Sequence, residues 1–156
     1  SMTPGTCGFL HLICHCRLFS VSSCTVTVTG YIGQDVTLPC SYDVQANGVV
    51  NFCWGHGQVP RSKCSNTVLS SDNGDVTFRE SPRYQLLSQV MQGDVSLTIV
   101  KAQKTDSGVY GCRVEIPGWF NDQKINRQVL NCLSDEHLTA RLIPCLFAII
   151  QSCLLL

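Results

Sequence analysis

Two cysteines, Cys40 and Cys112, lie 72 positions apart in this chain, with Trp54 between them and Tyr110 two residues before the second, inside Asp106-Ser107-Gly108-Val109-Tyr110-Gly111-Cys112. Each part has a mechanical task. The cysteines bridge two facing sheets, the Trp54 indole packs on that bridge, and the Tyr110 hydroxyl bonds back to backbone at the corner before a late strand. Closing a loop of this length removes unfolded-chain entropy worth on the order of 4 kcal/mol, a large share of the roughly 5 to 15 kcal/mol that stabilises a small domain. Loss of Cys40 or Cys112 is therefore expected to abolish folding.

The segments around these residues have the periodicity of such a sandwich. Thr25-Val26-Thr27-Val28-Thr29 and Val95-Ser96-Leu97-Thr98-Ile99 alternate with period two, and Asp35-Val36-Thr37-Leu38 lies between them, as half-buried strands require. Asn47-Gly48 and Asn73-Gly74 mark tight turns where positive φ is wanted. The expected fold is all-β, a variable-type immunoglobulin sandwich of two antiparallel sheets, because the stretch between the bridge cysteines is long enough for two extra strands. Arg83 and Asp106 stand where variable domains commonly carry a salt bridge closing one end of the barrel.

The chain has 156 residues and 11 Lys+Arg against 11 Asp+Glu, so one packed domain with short non-globular extensions fits and a second domain does not. Zero formal charge gives no field for nucleic acid, which excludes that class of partner. Eleven cysteines, with only 14% charged residues, point to an oxidising compartment. Because the count is odd, at least one thiol is free, removed by processing or paired with another chain.

Three stretches of unequal character divide the sequence: 1–23, 24–131 and 132–156. The first is apolar but interrupted by Arg17 and reads as a secretory signal with small residues at Val21 to Ser23. A metal cluster from His11, Cys14, His15 and Cys16 is the alternative, although a second knuckle at the usual spacing is missing. The last stretch ends in the apolar run Leu142 to Leu156, which Pro144 and Gln151 weaken as a spanning helix. It reads as a truncated transmembrane helix, a lipid-anchor signal or an aberrant terminus.

From about Val28 to Asn126 the residues resemble the T-cell immunoglobulin and mucin (TIM) family. The resemblance is carried by Val36-Thr37-Leu38-Pro39-Cys40-Ser41-Tyr42, Cys53-Trp54-Gly55, Ser62-Lys63-Cys64, Arg83-Tyr84-Gln85-Leu86, Gly93-Asp94-Val95-Ser96-Leu97-Thr98-Ile99 and, above all, Arg113-Val114-Glu115-Ile116-Pro117-Gly118-Trp119-Phe120-Asn121-Asp122. It implies three bridges in the domain. Cys53 and Cys64 match one of the two extra pairs, whereas Val59 and Gly111 occupy the positions of the other. The absence of both partners together is what a lost bridge leaves behind, and the loop Gly55 to Lys63 is expected to move more freely for it. Cys24 and Cys132 flank the sandwich without an assignable partner.

Trp119 and Phe120 sit side by side on the loop between the last two strands. Successive turn residues cannot both point inward, so at least one ring is expected to be exposed. Each ring could gain about 1.5 to 3 kcal/mol on leaving water, and indole suits the headgroup level of a bilayer. Asn121 and Asp122 add an amide oxygen and a carboxylate, hard donors suited to Ca²⁺. Two side chains are too few, so backbone carbonyls of this loop and of Gly55 to Lys63, together with anionic headgroup oxygens, would complete the shell. The resemblance implies a calcium-dependent phosphatidylserine site made by Trp119, Phe120, Asn121 and Asp122, with Ser62 and Lys63 as headgroup contacts.

This makes the expected function that of a cell-surface or secreted recognition module for apoptotic cells or enveloped particles, with immune regulation implied. The competing reading is a metal-independent immune receptor or adhesion domain whose same two loops, FG and CC′ of a variable domain, bind a protein. An enzyme is not expected. His56 is the one histidine inside the sandwich, it lacks a nucleophile partner, and Gly55-His56-Gly57 reads as a turn. No Asn-X-Ser/Thr sequon occurs.

Overall fold

Alternating β-branched and apolar residues pair along most of the chain, and the result is a two-layer sandwich. The structure is a computed structural model that describes residues 12–15 and 25–132. Its strands are β1 (Leu12–His15), β2 (Thr25–Tyr31), β3 (Val36–Leu38), β4 (Phe52–His56), β5 (Thr67–Asp72), β6 (Asp75–Arg79), β7 (Tyr84–Gln85), β8 (Leu97–Ile99), β9 (Gly108–Val114) and β10 (Gln123–Cys132). The larger sheet runs β1-β2-β10-β9-β4-β5-β6 and the smaller β3-β8-β7. Strands β5 and β6 are the two additional strands of a variable-type domain. The sheets are not wholly antiparallel: β2 runs parallel to β10, with Val28 opposite Val129.

The core lies between the layers. Leu38, Trp54, Leu69, Val95, Leu97, Ile99, Cys112, Val114 and Val129 are fully buried, and Cys40 is bonded to Cys112 across them. The Trp54 indole N–H would be costly to bury alone, and it donates to the Val95 carbonyl at 2.8 Å. Two of the turn signals have different outcomes. Asn73-Gly74 joins β5 to β6 as a two-residue turn with φ of 49° and 87°, the left-handed pair that such hairpins need. Asn47 instead ends a short helix, α1 (Val44–Asn47), which Asp43 caps at the Ala46 N–H and Gly48 closes with φ 72°.

At the far end of the barrel the Arg83 guanidinium grips Asp106 with two parallel bonds of 2.7 and 2.8 Å. Asp106 also accepts from the Gln103 N–H at 2.7 Å. Burial of Asp106 opposes ionisation, but the Arg83 bonds and that backbone bond outweigh it and hold the carboxyl below its ordinary range. The Tyr110 side chain is buried at this end of the barrel, and that burial, with Tyr84 beside it, raises its pKa. His56 is a departure. It is the last residue of β4 rather than part of a turn, and its ring stacks on Tyr110 at 4.7 Å.

The outer edge of the large sheet is guarded. All five residues of β6 are exposed, and a register shift between Ser70 and Ser71 puts an irregularity in its pairing with β5. Such a bulge discourages another strand from adding there.

Candidate functional site

The ladder of β9 on β10 ends at Val114 opposite Gln123, so residues 115–122 project from the end of the sandwich. Ile116 is packed against the core and roots the loop. Beyond it Gly118 has φ 115°, and a Cβ there would lie 2.3 Å from the Asn121 amide nitrogen. A glycine is needed at this point so that the Asn121 side chain can fold back and donate to the Pro117 carbonyl at 3.1 Å. This short crosslink turns the next two residues outward. Trp119 is 89% exposed and Phe120 is 99% exposed, with Phe120 at a left-handed φ of 56°. That conformation costs a residue with a side chain about 1 to 2 kcal/mol.

Both rings therefore stand in solvent, and the oxygens of Asn121 and Asp122 follow them immediately. Asp122 is not free-standing. Its Oδ2 accepts from Arg113 Nε at 2.7 Å and is also paired with Nη2 of the same guanidinium. Among the described residues, the other Asp122 carboxylate oxygen and the Asn121 amide oxygen take part in no hydrogen bond.

The second wall is the segment between β4 and β5, which folds back over the outer face of the sheet. Two glycines make room for it. A Cβ on Gly55 would lie 2.0 Å from the Ser65 carbonyl oxygen, and one on Gly111 would lie 2.6 Å from a Val59 methyl carbon. The segment is tied at its end by the Cys53–Cys64 bridge, in its middle by the Val59 N–H donating to Asn126 Oδ1 at 2.9 Å, and at its crest by Arg113. Nη1 of Arg113 donates to the carbonyls of Lys63 at 3.2 Å and Pro60 at 3.5 Å. The loop expected to be loosened by the lost bridge thus retains three anchors.

The sequence-predicted tip residues Trp119, Phe120, Asn121 and Asp122 come together on one loop. Ser62 and Lys63 are exposed on the second wall, with Lys63 at φ 58°, and the link from that wall to the tip runs through the Lys63 carbonyl rather than its ammonium. Trp54, Tyr110, Arg83 and Asp106 lie in the body of the domain and serve the fold. Arg113 is the residue that sequence reasoning missed. Its signal is a cation within β9, Gly108–Val114, a strand otherwise free of charge.

Hard oxygen chemistry is the metal chemistry this tip could offer. Among the described residues no three His, Cys, Asp or Glu side chains are grouped as a metal site, so backbone and ligand oxygens would have to supplement Asn121 and Asp122. Cys132 is disulfide-bonded, whereas Cys24, the His11 to Cys16 cluster side chains and the apolar run Leu142 to Leu156 lie outside the described residues. Among the described residues no helix is long and apolar enough to cross a membrane.

Comparison with known proteins places this geometry in context. The immunoglobulin V-set domain family matches residues 25–130. The Hepatitis A virus cellular receptor 1 homolog of Mus musculus is 51% identical over 100 residues, 64% of this chain and 32% of the relative. The chain thus spans about a third of the length of that receptor. Among solved structures, Tim-1 is 44% identical with TM-score 0.70, over 77% of this chain and all of that one. Tim-4 in complex with phosphatidylserine is also 44% identical, with TM-score 0.64, over 69% of this chain and 99% of that one. The chain belongs to the immunoglobulin V-set family and, within it, to the T-cell immunoglobulin and mucin family, a non-enzymatic one.

Proposed function

We propose that this domain is a cell-surface recognition module that binds phosphatidylserine through calcium, and so recognises apoptotic cells or enveloped particles, with immune regulation as the outcome. The observation that carries this reading is the adjacency of two solvent-exposed rings, Trp119 and Phe120, to the oxygens of Asn121 and Asp122 on one rim. A soluble protein has little reason to hold both rings in water unless something apolar receives them. The solved complex of Tim-4 with phosphatidylserine, at 44% identity, supports the same ligand here.

The division of labour follows from chemistry. Asn121 and Asp122 would hold the ion, which supplies a positive point for an anionic headgroup. Trp119 and Phe120 would enter the lipid, where each ring leaves water at a gain of about 1.5 to 3 kcal/mol. Ser62 and Lys63, on the opposite wall, would donate to headgroup oxygens. With so few protein donors, ion and headgroup are expected to bind together, each weakly without the other.

Sedimentation with phosphatidylserine vesicles, with calcium and with chelator, tests the reading. Retention should need calcium, fall on phosphatidylcholine vesicles and be lost in Asp122→Ala. Equal retention on both vesicle types, or none lost with chelator, overturns it. Calcium-independent binding to a cell-surface protein, abolished by Trp119→Ala, would instead establish the protein-ligand reading.

A further inference from the structure

Asp122, Lys63 and Pro60 belong to two different loops, yet their oxygens converge on one guanidinium, that of Arg113. Arg113 is 8% exposed. A cation that deep is tolerated only when its donors are matched. Here Nε and Nη2 serve the carboxylate of one loop, while Nη1 serves the carbonyls of the other. The other ties of the β4–β5 segment reach only the body of the sheet, through Cys53 and Asn126. Arg113 is the tie that reaches both walls.

Resting on the calcium reading above, we propose that Arg113 is a positioning residue for the tip: it fixes the Asp122 carboxylate and the β4–β5 backbone as the two walls of one preformed cation and headgroup site. Its planar fork is what allows this. A guanidinium presents five N–H donors in fixed directions and can span three acceptors, whereas an ammonium concentrates its charge at one point. The bond to Asp122 uses one carboxylate oxygen and leaves the other for an incoming ion.

The sign of the mutational effect separates positioning from simple electrostatics. A fixed positive charge beside a cation site repels the cation, so a bystander arginine, once removed, would leave the ion bound more tightly. A positioning arginine, once removed, leaves it bound more weakly, because a carboxylate without its orienting partner loses about 10- to 100-fold in metal affinity.

Terbium, a calcium surrogate whose emission Trp119 can sensitise, reports this in the intact chain without lipid. Titration and calcium displacement are measured for wild type, Arg113→Gln, Arg113→Lys, Asp122→Asn and Arg113→Gln/Asp122→Asn. Thiol alkylation mass mapping and near-UV circular dichroism identify variants that retain both bridges and the packed core. Arg113→Gln should weaken terbium binding about tenfold or more. Arg113→Lys should weaken it as well although the charge is kept, and the loss in the double variant should be smaller than the sum of the two single losses, since part of what Arg113 does passes through the Asp122 carboxylate. Equal or tighter binding in Arg113→Gln overturns the proposal and leaves the calcium reading standing. If Arg113→Gln fails to fold, wild-type affinity in a folded Arg113→Lys overturns it. Wild-type protein that yields no calcium-displaceable signal overturns the calcium reading, and this proposal with it.

Discussion

Val59 lies against Gly111, so close that a Cβ on residue 111 would sit 2.6 Å from a Val59 methyl carbon. These are the two positions at which the TIM pattern places the cysteines of a third bridge. The pair of substitutions is therefore complementary: a branched side chain on one loop fills the space that a bare glycine leaves on the strand beneath it. Packing and the Val59 to Asn126 hydrogen bond hold what the family pattern holds covalently.

Two substitutions at this contact should act in opposite directions. Gly111→Ala adds a methyl group that strikes both Val59 and the Gly57 carbonyl oxygen, 2.9 Å away, and should cost about 1 to 3 kcal/mol, as overpacking does. The double variant Val59→Cys/Gly111→Cys removes the branched side chain and closes a new loop in the unfolded chain. It should form a third bridge, whose gain of about 2 to 4 kcal/mol is offset in part by the backbone Gly57 carbonyl oxygen and Val59 nitrogen, each 2.9 Å from the new Cβ. Thermal melts with and without reductant, alongside mass mapping of the bridged peptides, check both. Spontaneous bridging that lowers the melting temperature would contradict the fit described.

Asp106 and Arg83 make the stability of the far end depend on acid. The Asp106 carboxyl is held below its ordinary range in the folded state, so its contribution is present above the unfolded value, about 3.9, and is lost as pH falls through the folded one. Asp106→Asn should therefore cost about 2 to 4 kcal/mol near neutrality, because it leaves the Arg83 guanidinium without its partner. The gap between the two proteins should narrow as the buffer is taken below the unfolded value. Melting curves at several pH values show this convergence, and a constant gap would mean that the salt bridge is not its source.

The sandwich is legible in the sequence because Cys40, Trp54, Tyr110 and Cys112 are spaced by the mechanics of bridging two sheets. The tip is legible because two rings and two oxygen donors in a row have few other uses on a loop. The parallel course of β2 beside β10 is not legible, since period-two alternation is the same in either direction. Gly55-His56-Gly57 misleads for a different reason. Gly55 serves close approach of the Ser65 carbonyl within a strand, yet composition alone reads a glycine as a turn. Arg113 escapes notice because its partners, Asp122, Lys63 and Pro60, are brought to it only when the β4–β5 segment folds back across the sheet.

The exposed rings can be removed without touching the fold. Trp119 and Phe120 are 89% and 99% exposed, so Trp119→Ser/Phe120→Ser should alter stability by no more than about 0.5 kcal/mol. The same change should lower retention on phosphatidylserine vesicles by about tenfold or more, given what each ring gains on leaving water. Its terbium affinity, read by direct calorimetry because the sensitising indole is gone, should stay near that of wild type. Vesicle retention that survives the double substitution would mean that the rings stay out of the lipid.

Gly55 tests whether the shape of the site depends on the β4–β5 segment lying flat on the sheet. A Cβ at this position meets the backbone Ser65 carbonyl oxygen at 2.0 Å and the Cys64 Cβ at 3.1 Å, and the latter is held by its bridge to Cys53, so neither can swing away. Gly55→Ala must lift the segment, at a cost of about 1 to 3 kcal/mol. The Lys63 and Pro60 carbonyls would then leave Arg113. Arg61 and Lys63 are exposed within the segment, so trypsin cleavage after them should quicken in Gly55→Ala relative to wild type. As a control, Gly33 has φ 88° but nothing within 4 Å of its Cβ position. Gly33→Ala should thus pay only backbone strain and leave that cleavage rate unchanged. Equal rates in all three proteins would show that the segment holds its place without the close approach at Gly55.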